Sequence, residues 1–147
     1  MIHNQIIQAD VVGWLKADTD ITDALMRQDG EGGAVSVKEN QYQGTTFTYP
    51  AIRVKLQRQI PIKDRGPCDH ARLTFSILCL TEGGSSKAAD HLAGLVNDLF
   101  HGPNGSKLVK GTGWNSYFRS TGLDDAIHTG ENLWLAMANF DGVIYPA

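Results

Sequence analysis

The sequence predicts an α+β domain in which a four-stranded, mainly antiparallel sheet carries two main helices, in the order α-β-β-α-β-β. Three observations predict it. Ile52, Val54, Leu56 and Ile60 alternate with Arg53, Lys55, Gln57 and Gln59, the period of a half-buried strand. Ala88, Ala89, Leu92, Leu95, Val96, Leu99 and Phe100 form one apolar stripe at helical spacing. Residues 131–140 hold an apolar run of strand length, and Gly/Pro-rich segments separate these blocks.

The elements follow in order. Ile7, Val11, Trp14 and Leu15 share one helical face, so a helix runs from about Asn4 to Lys16 with Asn4 as its N-cap. Asp18-Thr19-Asp20 breaks it, and Asp20 caps a short second turn carrying Ile21, Ala24 and Leu25. Residues 28–44 are polar and Gly-rich and read as a long loop, with room for a short strand at Ala34–Val37. Tyr49-Pro50 opens the first strand, residues 51–60, and Pro61 and Gly66-Pro67 mark its turn. The second strand, about Asp69–Leu80, sets Ala71, Leu73, Phe75, Ile77 and Cys79 on one face. Its other face starts polar at Arg72, Thr74 and Ser76 and ends apolar at Leu78 and Leu80.

After Glu82-Gly83-Gly84, Ser85 or Ser86 caps the long helix, and Gly102-Pro103-Asn104-Gly105 stops it. A third strand is expected near Trp114–Ser120 and a fourth over about Glu131–Phe140. The fourth puts Leu133, Leu135 and Met137 on one side and Trp134, Ala136, Ala138 and Phe140 on the other. A sheet with helices on one face normally wets the other, so its strands should alternate. Residues 133–138 do not, and Leu78 and Leu80 add to the same uncovered face. Either the long loops or a neighbouring subunit would have to bury it.

At 147 residues the chain suits a single domain, 1–147, with a core that needs no disulfide staples. Its longest apolar run is far short of a membrane span, and its first residues lack the basic and apolar regions of a signal peptide. Neither a membrane partner nor a cofactor is expected. Charge is segregated. Residues 1–50 hold three basic and seven acidic side chains, and residues 73–147 hold four and seven. Residues 51–72 reverse this with Arg53, Lys55, Arg58, Lys63, Arg65 and Arg72 against Asp64 and Asp69. This is either a solvated hairpin face or a patch for an acidic partner. Arg53, Lys55 and Arg58 are expected to project together from one strand face, and together with Lys63, Arg65 and Trp134 they form the candidate interaction surface.

Chemical motifs are sparse. Residues 82–87 place glycines, serines and a lysine at a helix start, where an anion could bind, but the phosphate-loop spacing is missing. Cys68-Asp69-His70 has no second ligand pair, and Cys79 belongs to the apolar series. His91 and His101 lie ten residues apart on the polar helix face, too far for joint ligation. Asp124, Asp125 and His128, followed by Glu131, form the best enzyme candidate, read as a loop cluster able to bind a metal or move protons.

The run from Tyr49-Pro50 through the strand ending Phe75-Ser-Ile-Leu-Cys-Leu-Thr81 to the helix at 88–100 resembles the tail terminator, or tail completion, proteins of long-tailed phages. The two closing strands suit that family, whereas the Gly-rich 28–46 segment and the 102–131 connection depart from it. The resemblance implies a non-enzymatic virion protein, assembled in the host cytoplasm. It would form a homo-oligomeric, usually hexameric ring on the head-proximal end of the tail tube. Its partners would be the tail tube protein and a head-side connector, with DNA passing through without sequence-specific contact. The alternatives are another neck component of the same class, a small metal-dependent hydrolase using Asp124, Asp125 and His128, and a ferredoxin-like binding module with an anion at Gly83–Ser86.

Overall fold

A computed structural model describes residues 2–27, 30–40, 49–62, 70–101 and 107–147. Helix α1 (Asn4–Ala17) is followed by α2 (Thr19–Leu25), a 3₁₀ turn (Gly33–Ser36) and strand β1 (Val37–Glu39). Next come β2 (Ala51–Pro61), β3 (Ala71–Glu82) and α3 (Lys87–His101), then β4 (Lys107–Gly111), β5 (Trp114–Gly130) and β6 (Leu133–Pro146). The strands form one sheet in the order β1-β2-β3-β6-β5-β4. β1 runs parallel to β2, and every other pair is antiparallel.

This overturns the expected four-stranded sheet with two main helices. Among the described residues there are six strands in a mixed, half-barrel sheet, and three helices. β1 is too short, at three residues, to show a period. β4 and most of the 102–131 connection also prove to be strand. β5 runs ten residues past Ser120, and its ladder to β6 shifts register at Ser120/Gly122, Asp124/Ile127 and His128/Gly130. Each shift breaks the alternation that would have revealed the strand.

The helix starts also move. His3 is the N-cap of α1 and makes no side-chain capping bond. Asn4 instead lies in the first turn, and its Oδ1 accepts a hydrogen bond from Gln59 Nε2 at 2.9 Å, tying α1 to β2. Asp18, not Asp20, caps α2 by accepting the Ile21 N–H at 3.0 Å. At α3 it is Ser85 whose hydroxyl accepts the Lys87 N–H, at 3.2 Å.

All three helices contribute to one core on one side of the sheet. From β3 that side takes Leu73, Phe75, Ile77 and Cys79, opposite Gly142, Phe140, Ala138 and Ala136 of β6. All eight are buried. Phe75 stacks on Phe140 at 5.2 Å between ring centroids, with Phe100 and Phe118 closing the cluster. Gly142 is required here: a Cβ would come within 2.8 Å of the Phe118 ring and the Tyr117 carbonyl. The helix stripe is turned relative to expectation. Ala89, Leu92, Ala93, Val96 and Phe100 are buried, while Leu95 and Leu99 are half-buried and Ala88 is exposed.

Candidate interaction surface

The opposite side of the sheet carries none of these core residues, and cross-strand register fixes its composition. Leu78 pairs with Met137, which pairs with Asp124. Leu80 pairs with Leu135, which pairs with Ile127. Leu133 lies between Glu82 and Gly130 in the next row. Leu78, Leu80, Leu133, Leu135 and Met137 are half-buried, and Ile127 is 57% exposed. They form an apolar strip across β3, β6 and β5. Among the described residues no helix packs on it.

A polar belt borders the strip. Gln57 Nε2 donates to Ser76 Oγ at 2.6 Å, and Ser76 Oγ donates to Asn139 Oδ1 at 2.6 Å. Asn139 Nδ2 then donates to Asp124 Oδ2 at 3.1 Å. This chain of bonds crosses four strands. One row further on, Arg119 makes a two-point ion pair with Asp141, at 2.6 and 3.1 Å, which raises the Arg119 pKa.

The sequence-derived surface is only partly assembled here. Lys55 pairs with Ser76 and Arg58 with Thr74, so both lie on this open side and both are exposed. Strict alternation would put Arg58 on the other side, but a register shift between Leu56 and Arg58 brings it back. The same shift moves Ile60 out to the open side, opposite Arg72, and leaves it 44% exposed. Arg53 does not project. It is only 8% exposed, and its Nη1 donates to the carbonyls of Ser36 at 3.1 Å and Ile52 at 2.9 Å. Neighbouring β1 and its 3₁₀ turn enclose it; the short strand expected at Ala34–Val37 is instead a 3₁₀ turn at Gly33–Ser36 followed by a strand at Val37–Glu39, and its pairing with β2 was not legible. Trp134 lies on the helix side, half-buried, with its indole N–H on the Gly83 carbonyl at 3.0 Å and its ring 3.9 Å from that of His128. Lys63 and Arg65 lie outside the described residues, as do Cys68 and Asp69.

The enzyme candidate does not converge. Asp124, Asp125 and His128 sit on strand β5, not in a loop. Asp124 turns to Asn139 while His128 lies against Trp134, so the two point to opposite sides of the sheet. Among the described residues no group of three His, Cys, Asp or Glu side chains could hold a metal. Nor is the glycine turn at 82–87 open: the Gly83 N–H donates to the Asn132 carbonyl at 2.8 Å. Cys79 is fully buried, and burial pushes its thiol pKa up from the ordinary value of 9.0.

Ile127 was missed because its segment read as a loop. The cross-strand belt was missed because a single sequence does not reveal which strands are neighbours.

Solved structures share this fold. A chain of the virion of a native gene transfer agent particle superimposes with a TM-score of 0.61 over 95% of both chains, at 16% identity. A second solved chain, whose name describes no function, matches over the whole of both chains with a TM-score of 0.60 and 16% identity. No family model and no curated protein matches the sequence.

Proposed function

We propose that this chain is a virion structural protein that forms a ring, usually hexameric, on the head-proximal end of a tail tube, ending tube growth and presenting the surface to which the head joins. The observation that carries this reading is the apolar strip of Leu78, Leu80, Leu133, Leu135, Met137 and Ile127. Antiparallel sheets can afford one wet face, and such a face is normally polar. An apolar strip left open on one chain is what an assembly surface requires. The virion particle that shares the fold supports the structural class, and the element order at 49–100 supports the terminal-ring role. The role is non-enzymatic, with the tail tube protein and a head-side connector as partners and DNA passing through the opening.

Native mass measurement and electron imaging of the purified chain test this. Rings are expected from the wild type. The variant Leu135→Asn/Met137→Asn should fold, with a cooperative thermal transition, and lose ring formation or tail binding. A wild-type chain that stays monomeric and binds no tail tube, with the double variant behaving identically, would overturn the proposal.

A further inference from the structure

The two ends of the β5 strand are chemically opposite. At its start, where β4 pairs with residues 114–118, a cavity of about 340 Å³ lies among α1, α3 and β4. Trp14, Leu99, Phe100 and Val109 give it apolar walls. Lys107 and Lys110, both exposed, line it as well. Asp18 is the acid of the lining, and its carboxylate already accepts the Ile21 N–H. The volume falls within the range of clefts that enclose a partner's groups.

At its far end, β5 turns into β6 through Glu131 and Asn132. Leu123 is 49% exposed and Ile127 57% exposed on this hairpin arm. Asp124, Asp125 and Glu131 are exposed around them. The sequence contains no lysine or arginine after Arg119. Apart from His128, the ionisable groups of the tip are therefore all acidic beside its apolar ones, and the cavity is apolar with a basic rim. Ile127 lies ten residues along the strand from Tyr117, which pairs with Leu108 at the cavity, or about 30 Å at ~3.3 Å per residue. A paired strand cannot fold back over that distance, so the tip cannot fill its own chain's cavity.

We propose that the β5–β6 hairpin tip of one copy docks in the Lys107/Lys110 cavity of the next copy, with Ile127 against the apolar walls and Asp125 and Glu131 beside the lysines. The inference rests on the ring reading and specifies its contact. Two different surfaces at opposite ends of one chain make a head-to-tail contact, and repeating it by a closing rotation gives a ring. Charge complementarity fixes the order of the surfaces and speeds encounter.

A charge-swap experiment tests it. One variant carries Asp125→Lys/Glu131→Lys, and a second carries Lys107→Glu/Lys110→Glu. Each alone should need about tenfold or more protein for half-assembly, because attraction becomes repulsion at every contact. An equimolar mixture should regain rings in which the two variants alternate, since each altered surface then meets its complement. Lys107 Nζ also donates to the Leu99 carbonyl at 3.0 Å, so circular dichroism first checks folding. If that variant unfolds, Lys110→Glu mixed with Asp125→Lys decides instead. Ile127→Ser should weaken assembly with no charge change. Wild-type rings that persist in every variant would overturn this contact and leave the ring reading standing. Variants that fail alone and in mixture would likewise overturn the pairing of tip with cavity. A wild type that never associates would overturn both.

Discussion

Asp10 holds the start of the β4–β5 hairpin against α1, and removing it should loosen the cavity from one side. Its Oδ2 accepts the Thr112 N–H and the Trp114 indole N–H, each at 2.8 Å, and its Oδ1 accepts the Thr112 hydroxyl at 2.9 Å. No other side chain in α1 bonds to this turn among the described residues. The two bonds to Thr112 are at the surface, where water replaces much of what is lost, so each is worth ~0.5–1 kcal/mol. The indole bond is different. Trp114 is fully buried, and its N–H would lose its partner at a cost of ~1–2 kcal/mol. Asp10→Ala should therefore destabilise the fold by ~2–4 kcal/mol. Asp10→Asn can keep its amide oxygen on the Thr112 and Trp114 N–H groups and turn its amide N–H to the Thr112 hydroxyl oxygen, so it loses only the charge and should cost ~1 kcal/mol or less.

Urea unfolding followed by circular dichroism gives both values. Amide exchange adds the location: protection should fall at residues 107–111 and 114–118, while β3 keeps its own. An Asp10→Ala variant within about 0.5 kcal/mol of wild type would show that the hairpin is held by the packing of Trp14 on Trp114, whose ring centroids lie 5.6 Å apart, and that the carboxylate is incidental.

Two further predictions concern residues that the fold encloses. Arg53→Ala should cost ~1–3 kcal/mol, because the Ser36 carbonyl loses its donor and the space under β1 is left unfilled, whereas Lys55→Ala should change stability by less than about 0.5 kcal/mol. Equal effects in denaturant titrations would contradict the enclosure of Arg53. In a Cys68→Ser background, Cys79 should resist a thiol reagent at pH 8 until urea unfolds the chain, because burial keeps the thiol protonated. Since its pKa is raised only in the folded state, above pH 9 the unfolded chain ionises first and stability falls as pH rises; rapid labelling of the folded chain would refute this.

What was legible in the sequence tracks how strongly each segment is tied to the core. β3 and α1 bury one face over many residues, so their periods survive in the sequence, and β2 alternates in residue type although Ala51 to Val54 are all buried and Ile60 is exposed. α3 was legible as a helix, but the exact face it turns to the sheet was not, since Leu95 and Leu99 are as apolar as Leu92. β4 buries only Val109, and β5 beyond Ser120 buries no residue fully, so neither had a pattern to read. The open strip was legible because it violates a rule: Leu78, Leu80, Leu133, Leu135 and Met137 are apolar where a wet face should be polar. The fate of Arg53 was not legible, because whether a strand arginine is exposed depends on the strand beside it. Arg58 does share a side with Lys55 as expected, but through a bulge that no residue type announces and not through alternation.

The far half of β5 poses the sharper physical question. From Thr121 to Gly130 the strand is held by its ladder to β6, by Asn139 Nδ2, which donates to the Gly122 carbonyl at 3.3 Å and to Asp124 at 3.1 Å, and by the Ala126 N–H, which donates to Asp90 on α3 at 3.0 Å. It buries little apolar surface of its own, yet ordering each residue costs roughly 1–2 kcal/mol of backbone entropy. Three register shifts let it curl toward α3, and the belt from Gln57 to Asp124 locks β5 to β2 through Ser76 and Asn139. That belt lies where the polar part of the open face gives way to the apolar strip. It therefore fixes the position of Ile127 and the strip leucines relative to the rest of the sheet, without help from the core. An arm held rigid by polar bonds, and ending in exposed apolar and acidic groups, contributes little to folding alone. The proposed docking of this tip on a second copy would give that rigidity a use.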